Sequence, residues 1–184
     1  MTRLAAIVQE ALDDLEWTDD IEDDEEAGKS RVTTGAMVAG QPCDIYIDTH
    51  EQHDAISLYI YLPFRVAAEN YPQACMLINA INVDARHGHL EILRDGGRIR
   101  LVASADVEGA APTGIFVVRM IQSADAILSH WMWALAAVAV SGQTADELLA
   151  ESARREGGDE TVEATAAEET ARPAIPRAVA KALH

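Results

Sequence analysis

Histidine is the residue type in this chain best suited to chemistry, because its imidazole ligates metals and transfers protons near neutral pH. His50 and His53 lie in one predicted loop, and His87 and His89 flank Gly88 just before a predicted strand. A metal site needs three or four converging ligands, and neither pair supplies them in sequence. One alternative stays open, in which His87 and His89 serve a hydrolase together with nearby carboxylates.

Other catalytic signatures are absent from the sequence. There is no Gly-x-Ser-x-Gly motif, and the turn Asp95-Gly96-Gly97 joins two predicted strands without the spacing of a phosphate-binding loop. Cys43 and Cys75 lie in apolar surroundings, where we expect reduced, buried thiols. The sequence therefore predicts a protein that is not an enzyme and has no catalytic residues, metal site or cofactor.

The chain of 184 residues carries a net charge of −17, which disfavours binding to nucleic acid or to anionic lipid. Residues 10–26 hold eleven Asp or Glu and no Lys or Arg, and we expect a helix end followed by a solvated loop there. The most apolar run, 131–140, is too short to span a bilayer. We therefore expect a cytoplasmic protein that contacts neither nucleic acid nor membrane.

Hydrophobic periodicity divides the chain into helices and strands. Apolar residues recur at helical spacing or alternate at strand spacing, and a Gly-rich turn at 95–97 predicts a hairpin. The predicted helices cover 2–16, about 70–82, 113–141 and about 144–155; the predicted strands cover 31–40, 43–49, 55–63, 89–93 and 98–104.

This order predicts an α+β fold, an antiparallel sheet with helices packed on one face, in the order α-β-β-β-α-β-β-α. We expect one domain over residues 1–155. Residues 156–184 form an acidic, Ala/Glu-rich segment with few large apolar side chains, and we expect a flexible tail that ends in a short helix at 175–184.

Two tyrosines mark a candidate binding surface. Tyr59 and Tyr61 are two apart in a predicted strand, so they share one face, while Leu58, Ile60 and Leu62 take the other. Because the aliphatic side should face the core, we expect the tyrosines to line an open face that holds an extended partner segment. The acidic chain predicts a segment with net positive charge. Ordinary surface tyrosines would show the same pattern.

The long predicted helix raises the question of what covers it, because residues 131–140 are apolar on almost every side. A helix apolar all round is buried on all sides, which requires a second subunit or a docked segment. We therefore predict a homodimer whose interface includes Trp131, Trp133, Leu135 and Val138.

Residues 66–109 and 120–151 resemble the YbjN family, bacterial proteins labelled as sensory transduction regulators. The matching features are a helix started by Pro72, the Asn79 and Asn82 pair at its end, Gly88 before a strand, and the turn at 95–97. The resemblance extends over about residues 1–155. It implies a fold like that of type III secretion chaperones, which are typically dimers that hold an extended segment of a partner.

The family label also leaves a small-ligand sensor domain as an alternative, which would require an enclosed apolar cavity. The resemblance supplies no catalytic residues. We expect Asn79 and Asn82 to cap the helix or bond to the next strand, because Asn tolerates left-handed geometry and bonds readily to backbone.

Overall fold

A computed structural model describes residues 1–159, with side chains through residue 156. The helices are α1 (Arg3–Asp14), α2 (Tyr71–Asp84), α3 (Gly114–Val140) and α4 (Ala145–Asp159). The strands are β1 (Ile21–Asp24), β2 (Lys29–Val38), β3 (Gln41–His50), β4 (Ala55–Arg65), β5 (His89–Ile92) and β6 (Arg98–Asp106). The predicted α+β fold is confirmed, with one additional strand.

All six strands pair antiparallel in one sheet, in the order β1-β2-β3-β4-β6-β5. The helices α1, α2 and α3 pack on one face of this sheet and enclose a single core with it. In β4, Leu58, Ile60 and Leu62 are buried in that core, as their alternation predicts. The opposite face carries the polar and aromatic residues of the same strands.

The additional strand, β1, lies inside the acidic run where we predicted a helix end and a loop. Its residues alternate between half-buried and exposed, because β1 is an edge strand paired only with β2. Asp23 accepts hydrogen bonds from the backbone nitrogen of Thr2 (2.8 Å) and from its hydroxyl (3.1 Å). The Glu51 carboxylate accepts from the nitrogen of Leu4. Carboxylates of β1 and of the turn after β3 thus bind free N–H groups at the start of α1.

Close contact between α1 and α3 depends on a glycine. A Cβ atom at Gly114 would lie 2.7 Å from the nitrogen of Ala11, so no side chain fits there. The Gly114 nitrogen donates to the Glu10 carboxylate at 2.8 Å. This bond places a negative charge at the amino end of α3, where the helix dipole favours it.

The three asparagines at and within α2, Asn70, Asn79 and Asn82, differ in their surroundings. Asn82 clamps β5, since its side-chain oxygen accepts from the Leu90 nitrogen (2.7 Å) and its amide donates to the Leu90 oxygen (2.9 Å). The strand-bonding role expected of Asn82 is therefore confirmed, whereas Asn79 is exposed. Asn70 precedes α2 and makes no side-chain cap bond to it; it donates instead to the Ala139 oxygen near the end of α3 (3.1 Å).

The junction between α3 and α4 follows its sequence signals. Gly142 takes a positive φ of 71° just past α3. The Thr144 nitrogen donates to the Glu147 carboxylate (2.9 Å) and the Glu147 nitrogen to the Thr144 hydroxyl (3.3 Å), which makes a capping box at the start of α4. Since α4 continues to Asp159, a domain boundary after residue 155 falls within this helix. The terminal helix expected at 175–184 lies outside the described residues.

The helix α3 is long and apolar enough, by length and composition, to cross a membrane. A soluble core helix satisfies the same criterion. Ten of its residues are buried among the strands and helices of the domain, so its apolar character has a packing explanation within the fold.

Candidate protein-binding surface

The open face of the sheet is built from alternate residues of the strands whose other residues form the core. Tyr46 of β3 lies opposite Tyr59 of β4, and Tyr61 of β4 lies opposite Arg100 of β6. Arg31 and Arg98 complete the set from β2 and β6. We call these six residues the tyrosine–arginine patch. With Asp48 they line a shallow depression of about 440 Å³.

The aromatic rings of the patch contact one another and its arginines. The Tyr46 and Tyr61 rings meet edge to face, with centroids 5.4 Å apart. The Arg98 guanidinium lies 4.8 Å from the Tyr61 centroid, and that of Arg100 lies 4.9 Å from the Tyr59 centroid. Arg100 also donates to the Tyr61 hydroxyl at 2.7 Å. The rings are therefore held in place by contacts within the single chain.

Each arginine of the patch is also paired with a carboxylate. Arg31 makes two hydrogen bonds to Asp48, at 2.7 and 2.6 Å, and this contact raises the pKa of the guanidinium further. Arg98 bonds to Asp44, and Arg100 bonds to Glu91. Three positive and three negative charges therefore balance locally, in contrast to the strongly acidic chain as a whole.

The predicted binding residues Tyr59 and Tyr61 are half-buried and lie on the open face, as their alternation required. Their role in binding stays a prediction. Sequence reasoning missed Tyr46 and the three arginines. Tyr46 alternates with Ile45 and Ile47, which was a usable signal, but the cross-strand neighbours depend on the register between strands.

The predicted dimer residues fall into two groups. Leu135 and Val138 are both 0% exposed within the single chain, so the prediction that they form an interface is wrong for these two. Trp131 and Trp133 are half-buried against the core. The Arg155 guanidinium of α4 lies 3.7 Å from the Trp133 centroid. A docked segment of the same chain, α4, thus supplies part of the cover.

The histidines predicted as an alternative catalytic pair line different surfaces. His87 lines a groove beside α3, whereas His89 lies beside Glu91 with a nitrogen–oxygen distance of 3.9 Å. His50 precedes the short 3-10 turn Glu51–His53 between β3 and β4, and His53 is the last residue of that turn. Within residues 1–159, no group of three or more His, Cys, Asp or Glu side chains is arranged to hold a metal ion.

The two cysteines differ in their surroundings. Cys43 is buried in the core, and burial raises the pKa of its thiol to about 12. Cys75 is exposed on α2, so the prediction that it is buried is wrong. It lies one position before the exposed Met76, on the side of α2 that faces away from the sheet.

Comparison with known proteins supports one family. The YbjN family model, described as "Putative bacterial sensory transduction regulator", matches residues 4–130. Among solved structures, the chain is similar to E. coli YbjN, described as "a putative transcription regulator". The identity is 14% and the TM-score 0.44, with 67% of this chain and 87% of that chain covered. No curated protein matches. Because the family model covers well over half of the sequence, the chain belongs to the YbjN family.

Proposed function

We propose that this domain is a non-catalytic regulatory module that binds an extended segment of a partner protein across the open face of its sheet. The tyrosine–arginine patch carries the proposal. Tyrosine and arginine are the residue types enriched at energetic centres of protein interfaces, because they combine large contact area with directed hydrogen bonds. The family's description as a regulator supports a role without catalysis.

The geometry of the patch favours binding through preorganisation. Tyr61 is fixed by its edge contact with Tyr46, by the Arg98 guanidinium above its ring and by the hydrogen bond from Arg100. Side chains that are already ordered lose little conformational entropy on binding. A partner segment therefore meets a surface that needs no rearrangement.

We propose a basic, extended segment as the partner. The net charge of −17 draws a positively charged segment toward the domain and makes the association salt-sensitive. At the patch, its Lys or Arg side chains can share the carboxylates of Asp44, Asp48 and Glu91 and stack on the tyrosine rings. We place this function in the cytoplasm, where an exposed thiol such as Cys75 stays reduced.

The test compares capture of partners by two double variants of the full chain. Tyr59→Ser with Tyr61→Ser removes both rings from the patch. Ile115→Ser with Val140→Ser is the matched control, because these exposed apolar residues lie at the two ends of α3. Affinity capture from native lysate, read by mass spectrometry, should lose its specific partners with the tyrosine variant only. Equal capture by the tyrosine variant and wild type at the same salt concentration would exclude this surface.

The proposed homodimer needs an interface other than Leu135 and Val138. Met76 and Val83 are 53% and 76% exposed and lie seven positions apart, so they share the outer face of α2. We propose that this face joins two copies. Light scattering should give twice 19.9 kDa for wild type and half of that for Met76→Glu with Val83→Glu. A wild-type monomer at all concentrations would contradict the dimer.

A further inference from the structure

A groove of about 650 Å³ lies between the first half of α3 and the end of β6, on the side of the sheet that the helices cover. Its apolar lining comes from α3 and from β6, namely Phe116, Met120, Ala126, Ala103 and Ala105. The groove is separate from the tyrosine–arginine patch, because that patch is formed by the alternate residues that point to the opposite side of the sheet. Its volume lies within the range of ligand-binding clefts.

Over its last residues, β6 has a neighbouring strand on one side only. The strand β5 pairs with β6 as far as Val102, whereas β4 pairs with it as far as Asp106. Gly88, which precedes β5, lies close to the point where the pairing stops, since a Cβ atom there would be 2.9 Å from the Val102 oxygen. Beyond Val102 this edge of β6 therefore borders the groove, which Ser104 also lines.

The direction of the backbone groups on this edge follows from the alternation along β6. The Arg98 oxygen accepts from the Leu93 nitrogen on the β5 side (2.9 Å), so every second residue from Arg98 onward directs its N–H and C=O to that side. Ser104 and Asp106 belong to this set. In the described part of the chain, neither makes a backbone hydrogen bond there. Their N–H and C=O groups are therefore free to bond to an added strand.

Two arginines without a carboxylate partner lie at the groove. Arg86, in the loop after α2, and Arg119 of α3 line it, and both are exposed. Neither guanidinium has an ion pair or a hydrogen bond within residues 1–159, whereas Arg31, Arg98 and Arg100 of the patch each contact a carboxylate. Among the described residues that line the groove there is no Asp or Glu. In a chain with a net charge of −17, this is a local excess of positive charge.

The free edge, the two arginines and the apolar lining together specify the chemistry of an occupant. An extended backbone satisfies the free groups of Ser104 and Asp106. Carboxylates supply the missing partners of Arg86 and Arg119 through charge-assisted hydrogen bonds. Since the side chains of an extended segment alternate between its two sides, only every second one enters the groove. Both the carboxylates and an apolar side chain must therefore lie on that one side of the segment.

We propose that this groove is a second protein-binding site, which takes an acidic extended segment of a partner protein as an added strand on the free edge of β6. The segment has the pattern acidic-x-apolar-x-acidic, so that these three side chains point into the groove. Its carboxylates pair with Arg86 and Arg119, and its apolar side chain packs on Phe116 and Met120. The site differs from the tyrosine–arginine patch in the charge of the segment that it takes.

Nuclear magnetic resonance titration of the full chain with synthetic peptides tests this site. The probe acetyl-Ser-Glu-Thr-Val-Thr-Glu-Ser-amide has the required pattern, with both Glu and the Val on one side. Its addition should shift the amide signals of Ser104 and Asp106 and the methyl signal of Met120 until the site is saturated. The control peptide acetyl-Ser-Glu-Thr-Val-Glu-Thr-Ser-amide has the same composition, but its two Glu lie on opposite sides. It should bind about threefold more weakly, because only one carboxylate reaches the groove.

Charge reversal tests the role of the two arginines. Arg86→Glu with Arg119→Glu should raise the Kd of the acidic probe at least about tenfold and create binding, at the same amides, of the counterpart peptide with Lys in place of Glu. Arg94→Glu is the matched control, because it reverses an exposed arginine in the turn between β5 and β6, away from the groove. It should bind the acidic probe as wild type does. Tyr59→Ser with Tyr61→Ser should also bind it unchanged, which tests this site separately from the patch.

Four results would overturn the proposal. The first is a titration in which the acidic probe leaves the Ser104 and Asp106 amides unshifted. The second is equal affinity for the two acidic peptides. The third is an Arg86→Glu, Arg119→Glu variant with the wild-type affinity for the probe. The fourth is slow hydrogen exchange of the Ser104 and Asp106 amides before any peptide is added, because the chain itself or a second copy would then already cover this edge.

Discussion

The two faces of the sheet are made from alternate residues of the same strands, yet different forces hold their side chains. On the covered face, Ile45, Ile47 and Leu58 are 1% exposed and pack against helices. On the open face, Tyr46, Tyr59 and Tyr61 are half-buried and held by hydrogen bonds and arginine contacts. The covered face is stabilised mainly by removal of apolar area from water. The open face is ordered by directed contacts that contribute little net stability.

This difference shows how one sheet keeps the residues that stabilise the fold apart from those of the proposed binding surface. A residue of the covered face cannot change without cost to folding, because the core is closely packed. A residue of the open face can change with little effect on folding, because its contacts contribute little net stability. Substitutions on the two faces should therefore give effects of very different size.

The largest effect should come from the covered face of β6. Leu101 is 0% exposed, and Leu101→Ala should lower the free energy of unfolding by about 2–5 kcal/mol, because it removes buried apolar atoms and leaves a cavity. Urea denaturation measures the change. A loss below about 1 kcal/mol would show that this part of the core is loosely packed.

A smaller effect should come from a buried polar pair on the same covered face. The Ser30 and Thr49 hydroxyls lie 2.6 Å apart, with the residues 6% and 1% exposed. Thr49→Val should cost about 1–3 kcal/mol, because it leaves the Ser30 hydroxyl buried without this partner. Adding Ser30→Ala should recover most of that loss in the same denaturation experiment. If the double variant is less stable than the single one, the pair itself stabilises the fold.

On the open face, Tyr46→Ser should change stability by no more than about 1 kcal/mol. It removes an edge contact with Tyr61 and leaves the exposed Arg31 its carboxylate partner Asp48. The near-ultraviolet circular dichroism signal should fall while the melting temperature stays almost constant. A loss as large as that of Leu101→Ala would remove the distinction between the two faces.

The smallest expected effect concerns Asp125 on α3, outside both faces. Partial burial raises the pKa of its carboxyl, and a hydrogen bond from Ser129 offsets part of this rise. The folded-state pKa therefore exceeds the unfolded one, so the group's favourable contribution is present at low pH and is lost as pH rises through the folded pKa. Asp125→Asn should raise the melting temperature at pH 7, and the difference should vanish below about pH 4. A lower melting temperature at pH 7 would contradict this sign.

Much of the fold could be predicted from the sequence because its signals are local. Alternation in β4 predicted the correct core side, and the Gly-rich turn at 95–97 predicted the hairpin. The strand β1 was not predicted because an edge strand can contain a run of acidic residues, and such a run has the composition of a loop. Asn70 bonds to a distant helix end, which no local pattern reveals.

The candidate site was predicted only in part, for a related reason. Spacing placed Tyr59 and Tyr61 on one face, but Arg98 and Arg100 join them through pairing between β4 and β6. The prediction of a dimer interface on α3 failed for Leu135 and Val138 because the chain itself can cover a helix that is apolar on every side. Leu135 faces the core, and Trp133 lies under Arg155.

The clamp made by Asn82 has a consequence for the solution behaviour of the protein. Its amide occupies the N–H and C=O of Leu90 in β5, the outermost strand on that side. The Asn82 side chain thereby takes the place of a neighbouring strand's peptide group. Fewer backbone groups of β5 are left free to pair with a strand of another molecule. At the opposite edge of the sheet, β1 is four residues long and rich in carboxylates, which repel the carboxylates of a second β1 strand. Concentrated solutions should therefore resist growth of fibrils by strand-on-strand addition, and Asn82→Ala should shorten the lag before such fibrils form.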